Sequence, residues 1–363
     1  MALLLAVTAR AIAVGAKSAL LLPAIFDEAP AHPLAWLAPP PRREVFRFAY
    51  SQGEVEGDLY VPSAVGRHGA LVLLPGARPP PPDHPLLVRF AEHLSRAGVV
   101  VMIPVSSRLN AGQILPEEVD AIVQAVDLLR ERDDVDPARL GIVGFSVGGG
   151  LAVVAAADPR LEGRLAFVAS FGGYFDAGEL LRAVATRRLS FAGIDEPWVP
   201  HPLTVWVVAR QLVDALPDAR DRALLDELLM RQHWPTGESE ALLSPTGRAA
   251  LDLLNGPPSV DQDGVLALLA DANLQRLRQI SPALAIDRLR TPLFVLHDRK
   301  DRFIPYTESR RLVERAPPGT VQLYTEFELF AHVVPERALD SPARLLELVK
   351  LYRQLYWILH YVL

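Results

Sequence analysis

The chain has 363 residues, 50% apolar and 22% charged, with a net charge of -6 from 37 basic and 43 acidic side chains. That balance belongs to a folded globular protein rather than a disordered one, and mild acidity without a basic run disfavours nucleic acid as a partner. There is no cysteine, which removes disulfides, thiol nucleophiles and thiolate metal sites and fits a cytoplasmic location.

The first 26 residues are strongly apolar, but Arg10 and Lys17 interrupt them. No clean run of the roughly 20 residues that a spanning helix needs is therefore expected. They predict a helix packed on the body of the protein, with a helix lying on a membrane surface or a processed signal as alternatives. A proline-rich joint ends this segment near residue 42. Residues 43 to 62 then alternate as a hairpin, with Ser51-Gln52-Gly53 at its turn. Buried strands are expected at Ala70 to Leu74, Val99 to Ile103, Leu140 to Phe145 and Leu165 to Ser170. Helices are expected between them at Leu86 to Ala97 and Pro116 to Arg130. This alternation predicts a mostly parallel central sheet covered on both faces, with an antiparallel edge.

From about Ala177 to Arg290 the alternation stops. Helical stretches at Leu203 to Leu216, Ala219 to Met230, Gly247 to Leu254 and Val265 to Ile280 take its place. Strands return at Pro292 to Leu296 and Val321 to Tyr324, and an apolar helix runs from Pro342 towards Leu363. The reading is an α/β core in two parts, 43–176 and 291–363, preceded by the apolar segment 1–42 and split by a helical lid insertion, 177–290.

The most informative stretch is Gly144-Phe145-Ser146-Val147-Gly148, set between a buried strand and an apolar helix. Glycine two places either side of the serine allows a turn too sharp for neighbouring Cβ atoms. Such a turn holds the Ser146 hydroxyl exposed at a strand end, which suits nucleophilic attack on a carbonyl. A serine nucleophile needs a base, and the base needs an orienting acid. In proteins with this elbow the chain order is serine, acid, histidine. Asp298 and Asp301 follow the strand Leu293 to Leu296, and His332 follows Val321 to Tyr324.

With Val135-Asp136-Pro137-Ala138-Arg139-Leu140 before the elbow, Ser281-Pro282, and the pattern from His297 to Ile304-Pro305, the chain resembles the α/β-hydrolase superfamily. It is closest to serine-bearing relatives of dienelactone hydrolases and prolyl-oligopeptidase-type domains. The resemblance covers roughly 43–176 and 281–363 and leaves out the insertion. By motif position it implies Asp301 as acid and His332 as base. Asp298, where the family often has glycine, stands as a rival carboxylate whose alternative role is a solvated partner of Arg299, Lys300 or Arg302. The resemblance also implies an oxyanion hole from the Val147 N–H and a second donor in Pro75-Gly76-Ala77-Arg78. Ala77 is preferred there and Arg78 comes second.

The function expected is cofactor-free cleavage of a small-molecule carboxylic ester, lactone or thioester through an acyl-enzyme, with no metal ligated. Two alternatives stand beside it: peptidase or amidase chemistry, and a catalytically silent fold that binds a lipid or partner through its apolar terminal helices. Those helices also offer peripheral contact with a membrane. Trp198, Trp206 and Trp234 could line an acyl or alcohol pocket, while His201 and His233 are more often structural in such settings. The stiff run Pro79 to Pro82 could wall the site.

Overall fold

The computed structural model describes residues 2–26, 31–79, 81, 83–214, 216–230, 240–255, 275, 277–335 and 341–363. Pro80, Pro82, His233, Trp234 and most of the helix expected at Val265 to Ile280 lie outside the described residues.

The strands are Arg42–Tyr50 (β1), Gly53–Val61 (β2), His68–Leu74 (β3), Val99–Ser106 (β4), Val135–Phe145 (β5), Phe167–Phe171 (β6), Arg188–Phe191 (β7), Ile194–Pro197 (β8), Leu293–Asp298 (β9) and Val321–Phe327 (β10). Eight of them form one sheet in the order β1-β2-β4-β3-β5-β6-β9-β10. Only β1 with β2 and β2 with β4 pair antiparallel; every other pairing is parallel. The expected antiparallel edge on a parallel sheet is therefore present. Central strands are covered on both faces, which is why they read as unbroken apolar runs such as Val99-Val100-Val101.

The main helices are Ala2–Leu21 (α1), Pro85–Arg96 (α2), Glu118–Arg130 (α3), Val147–Ala156 (α4), Ala177–Thr186 (α5), Pro202–Asp214 (α6), Ala219–Met230 (α7), Pro245–Asn255 (α8), Tyr306–Arg315 (α9) and Ser341–Val362 (α10). One core cluster packs α3 and α4 on one sheet face, through Ile122, Val126, Leu129, Leu151 and Ala155. The other face carries α1, α2 and α10. In α10 the residues Leu351, Leu355, Leu359 and Val362 are buried, three or four apart as a helix face requires, while Leu345, Leu346 and Val349 stay exposed.

The two apolar terminal helices pack together, with Gly15 of α1 against the Tyr352 hydroxyl. Arg10 and Lys17 interrupt the apolar run of α1, as expected. Among the described residues, Thr8–Ile25 is long and apolar enough to cross a membrane by length and composition. The Arg10 guanidinium donates to the His360 carbonyl of α10 at 2.8 Å.

The described residues between 177 and 255 are mostly helical and have a core of their own, with Leu181, Val184, Leu212 and Ala250 at its centre. They also contain the hairpin β7–β8, which helical spacing alone did not foresee. Its turn places Ala192 at φ 48° and Gly193 at φ 85°, the pair of left-handed residues a tight hairpin asks for.

Parallel register aligns the strand ends that matter. Leu74 lies beside Gly144, Phe145 beside Phe171, Phe171 beside Leu296 and Asp298 beside Phe327. The sheet winds outward in both directions from β3, and in such sheets the crevice at the strand C-termini is where ligands bind.

Candidate active site

Ser146 sits between β5 and α4 with φ 56° and ψ -127°, a conformation that L-residues avoid. Its N–H donates to the Phe171 carbonyl at 2.9 Å. The flanking glycines are sterically required. A Cβ on Gly144 would lie 2.1 Å from the Gly148 carbonyl oxygen, and one on Gly148 would lie 2.4 Å from the oxygens of Leu74 and Pro75. The turn is thus held from below by the ends of β3 and β6.

The loop after β3 closes over the serine. A Cβ on Gly76 would come within 2.9 Å of Ser146 Cβ and 3.1 Å of its Oγ. The next two N–H groups differ in availability. Arg78 N–H donates to the Leu109 carbonyl at 3.0 Å, so the second-choice donor is already engaged. Ala77 N–H has no such bond among the described residues. Val147 opens α4, so its N–H has no acceptor within the helix.

Across the crevice, the Asp301 carboxylate is buried and faces four donors. Its Oδ1 accepts from the N–H groups of Phe303 at 2.7 Å and Ile304 at 3.1 Å. Its Oδ2 faces His332 Nδ1 at 2.6 Å and His297 Nε2 at 3.3 Å. Burial alone would raise the Asp301 carboxyl. The His332 charge and the hydrogen bonds from His297 and His332 outweigh it and hold the group well below the usual carboxylate range. An ionised Asp301 requires the proton of neutral His332 to sit on Nδ1, which leaves Nε2 as an acceptor.

Asp298 does not act as the solvated acid proposed for it. It is buried, its Oδ1 accepts from Lys300 N–H at 2.9 Å and its Oδ2 from Phe330 N–H at 2.7 Å. Its basic neighbours turn outward instead, Arg299 towards Glu326 and Lys300 towards Glu328. Asp298 ties the end of β9 to the loop that carries His332, while Asp301 contacts the imidazole.

Ser146 and His332 meet at Phe171-Gly172. The first residue's carbonyl holds the Ser146 N–H, and a Cβ on the second would lie 3.1 Å from His332 Cε1 and Nδ1. No hydrogen bond joins the Ser146 hydroxyl to His332. The Nε2 atom of His332 is buried without a partner among the described residues. Of five non-glycine residues at positive φ among those described, Ser146 and His332 flank this point. Strain gathered in one place is characteristic of working sites.

The insertion is stitched onto the acid loop. Trp198 Nε1–H donates to the Asp301 carbonyl at 2.9 Å, His201 N–H to Arg302 at 2.6 Å and the Thr204 hydroxyl to Phe303 at 2.9 Å. The Phe303 ring stacks on His332 at 4.6 Å and on His201 at 3.9 Å, so it lies between the two imidazoles. Between insertion and core lies a narrow cleft of roughly 70 Å³ reached by Ser146, Val147 and Ala77. Its other walls are mainly aliphatic, from Leu180, Leu203 and Val207 among others, with Tyr174, Phe303, Thr204 and Gln211 beside them, and among the described residues no charged side chain lines it. Trp198 and Trp206 do not line it. Trp198 belongs to the insertion's own core, and Trp206 packs under the Arg78 guanidinium at 4.5 Å. Among the described residues no group of three His, Asp or Glu could hold a metal ion.

Sequence reasoning missed two buried groups. His297 bonds Ser309 through Nδ1 and the Ile304 carbonyl through Nε2, clipping the acid loop to α9. Glu308 accepts from the N–H groups of Phe175 at 2.9 Å and Asp176 at 2.8 Å, where the core leads into the insertion. Burial pushes the Glu308 carboxyl up to about 7, against the pull of those N–H groups and of Arg311. An acid with a raised folded value stabilises the fold most below its ordinary value of 4.5 and loses that contribution as pH rises through about 7. Relative to Glu308→Gln, the wild-type chain should therefore lose roughly 2–3 kcal/mol between pH 5 and pH 8, because each tenfold change in an ionisation equilibrium is worth about 1.4 kcal/mol. Urea unfolding of both proteins at the two pH values measures this, and parallel pH profiles would contradict it.

Comparison with known proteins gives a consistent outline. A family model described as the dienelactone hydrolase family matches residues 107–183, which include the elbow. No curated protein matches the sequence. Among solved structures the chain is similar to a 2,6-dihydroxy-pseudo-oxynicotine hydrolase, at TM-score 0.50 and 16% identity, over 88% of this chain and 67% of that one. It is similar also to the acylaminoacyl peptidase of Pyrococcus horikoshii, at TM-score 0.52 and 14% identity, over 89% of this chain and 42% of that one. An esterase from the archaeon Pyrobaculum calidifontis aligns at TM-score 0.49 and 15% identity, over 90% of this chain and 87% of that one. This chain thus spans about two thirds of the first of these proteins and well under half of the peptidase. At such identities the likeness is one of fold.

Proposed function

The chain is an α/β-hydrolase by fold, and we propose that it is a serine hydrolase that cleaves a neutral carboxylic ester through an acyl-enzyme. One observation carries this reading: His332 Nδ1 lies 2.6 Å from a buried, ionised Asp301, with an unpartnered Nε2 next to the Ser146 elbow. In the mechanism Ser146 Oγ attacks the ester carbonyl as His332 Nε2 takes its proton. Asp301 holds the imidazole in the required tautomer and stabilises its charged form. The N–H groups of Val147 and Ala77 meet the oxyanion, and a donor in that role is worth about 2.7–4 kcal/mol. His332 then protonates the departing alcohol. A water molecule, deprotonated by the same imidazole, releases the acyl group and restores Ser146. Because a protonated His332 cannot accept the serine proton, activity should fall towards acid pH.

The uncharged walls of the cleft favour a neutral ester over a charged peptide end. In this reading residues 177–290 act as a lid that also steadies the acid. Trp198→Phe deletes one tie to Asp301. It should lower kcat severalfold with little change in KM for a small ester, and lower stability by about 1–3 kcal/mol for the carbonyl left unpaired. Steady-state kinetics beside urea unfolding would show both, and an unaltered kcat would remove Trp198 from the positioning of the acid.

Turnover of p-nitrophenyl esters, lactones and aminoacyl p-nitroanilides tests the substrate class. Esters should be cleaved far faster than the anilides. Equal or faster cleavage of an anilide would replace the esterase reading with a peptidase one.

A further inference from the structure

A second cavity lies on the other face of the sheet, between β3, β5 and the helices α2 and α10. Its volume is roughly 420 Å³, about six times the roughly 70 Å³ of the cleft beside Ser146. Its walls are almost wholly apolar, with Leu73, Val143 and Phe145 from the sheet facing Phe90 and Leu355 from the helices. The polar side chains there are His84 and Gln354, whose Oε1 has no hydrogen-bond partner among the described residues.

Protein interiors rarely keep voids larger than a water molecule. An apolar void stays dry, lacks partner atoms for its walls, and takes up apolar ligands. The position of this one is specific. Pro75-Gly76 and Val333-Val334 also line it. Gly76 is the residue packed on Ser146, and Val333 follows His332 directly. Ser146 itself lines the cleft under the insertion, and Gly76, packed on it, lines this second space beneath the oxyanion loop.

We propose that the second cavity receives the acyl chain of the substrate, an unbranched hydrocarbon of about ten carbons. This rests on the serine hydrolase reading and names its substrate class. The length follows from the walls. From Leu351 to Leu359, both of which line the cavity, α10 advances about 12 Å at 1.5 Å per residue. An extended chain advances roughly 1.2 Å per bond, so that distance holds about ten carbons. The alcohol then leaves through the cleft lined by Leu203 and Val207.

Hydrolysis of p-nitrophenyl esters from acetate to hexadecanoate tests this in wild type, in Leu355→Trp and Leu87→Trp, which fill the cavity, and in Val207→Trp, which fills the cleft. In wild type kcat/KM should rise about tenfold or more from butanoate to decanoate, since each buried methylene adds up to about fourfold, and then level off. Either cavity variant should abolish that rise and leave acetate turnover unchanged, which also reports that the variant is folded. A flat chain-length profile in wild type would overturn the proposal. So would a rise that survives both cavity variants and disappears in Val207→Trp. Decanoate binding by calorimetry to wild type and Leu355→Trp gives a readout without turnover. Absence of any esterase activity beside decanoate binding that Leu355→Trp removes would sink the hydrolase reading and keep the cavity as a fatty-acyl site. Equal binding by both proteins, or none, would sink the cavity assignment itself.

Discussion

Ser146→Ala should reduce ester turnover by about 10⁴-fold or more, the scale seen when a serine nucleophile is deleted from a working triad, while urea unfolding stays within about 0.5 kcal/mol of wild type. The second half of that expectation follows from the local structure. The strained backbone at φ 56° is held by Gly144, Gly148 and the Phe171 carbonyl rather than by the hydroxyl. Alanine meets the same backbone geometry with one polar atom fewer. Substantial turnover by the variant would place the chemistry elsewhere in the molecule. A loss of activity matched by a loss of stability would show only that the elbow had collapsed.

The two carboxylates that compete in the sequence should separate cleanly. Asp301→Asn should lower kcat by about 10⁴-fold with the fold intact, because an amide beside His332 Nδ1 favours the wrong tautomer and no longer balances the imidazolium. Asp298→Asn should behave in the opposite way. Its two oxygens each accept a backbone N–H, from Lys300 and Phe330. An asparagine can keep one of these bonds and turns its own NH₂ towards the other donor. The expected cost is about 1–3 kcal/mol of stability, with most activity retained in the folded protein. Kinetics and urea unfolding of both variants decide the matter, and the reverse pattern would exchange the roles of the two residues.

The elbow was legible in the sequence because its demands are local: a buried strand, glycines at fixed spacing and an apolar helix within about a dozen residues. The parallel sheet was legible for the same reason, since strands buried on both faces leave unbroken runs such as Val99-Val100-Val101. What depended on distant partners was not. Asp298 reads as solvated because Arg299, Lys300 and Arg302 crowd it in sequence, yet the strand end turns it inward and its basic neighbours outward. Glu308 looks like an ordinary helix acid in α9, and only the fold brings Phe175 and Asp176 to it. The three ties from Trp198, His201 and Thr204 to the acid loop join residues about a hundred positions apart, with no periodicity to announce them. The tryptophans were candidates for a pocket wall on size alone, and packing assigned Trp198 to the insertion's core. The hairpin at Arg188 to Pro197 left a faint signal in Ala192-Gly193, too short to stand out among helices.

The central claim is that His332 activates the hydroxyl of Ser146, and reaction of the folded protein with a serine-directed fluorophosphonate tests it most directly, by intact mass and peptide mapping. The account predicts a single adduct on the peptide carrying Ser146, absent from Ser146→Ala and formed far more slowly in His332→Gln. An adduct on another residue, no adduct on folded protein, or labelling at the same rate without His332 would contradict it.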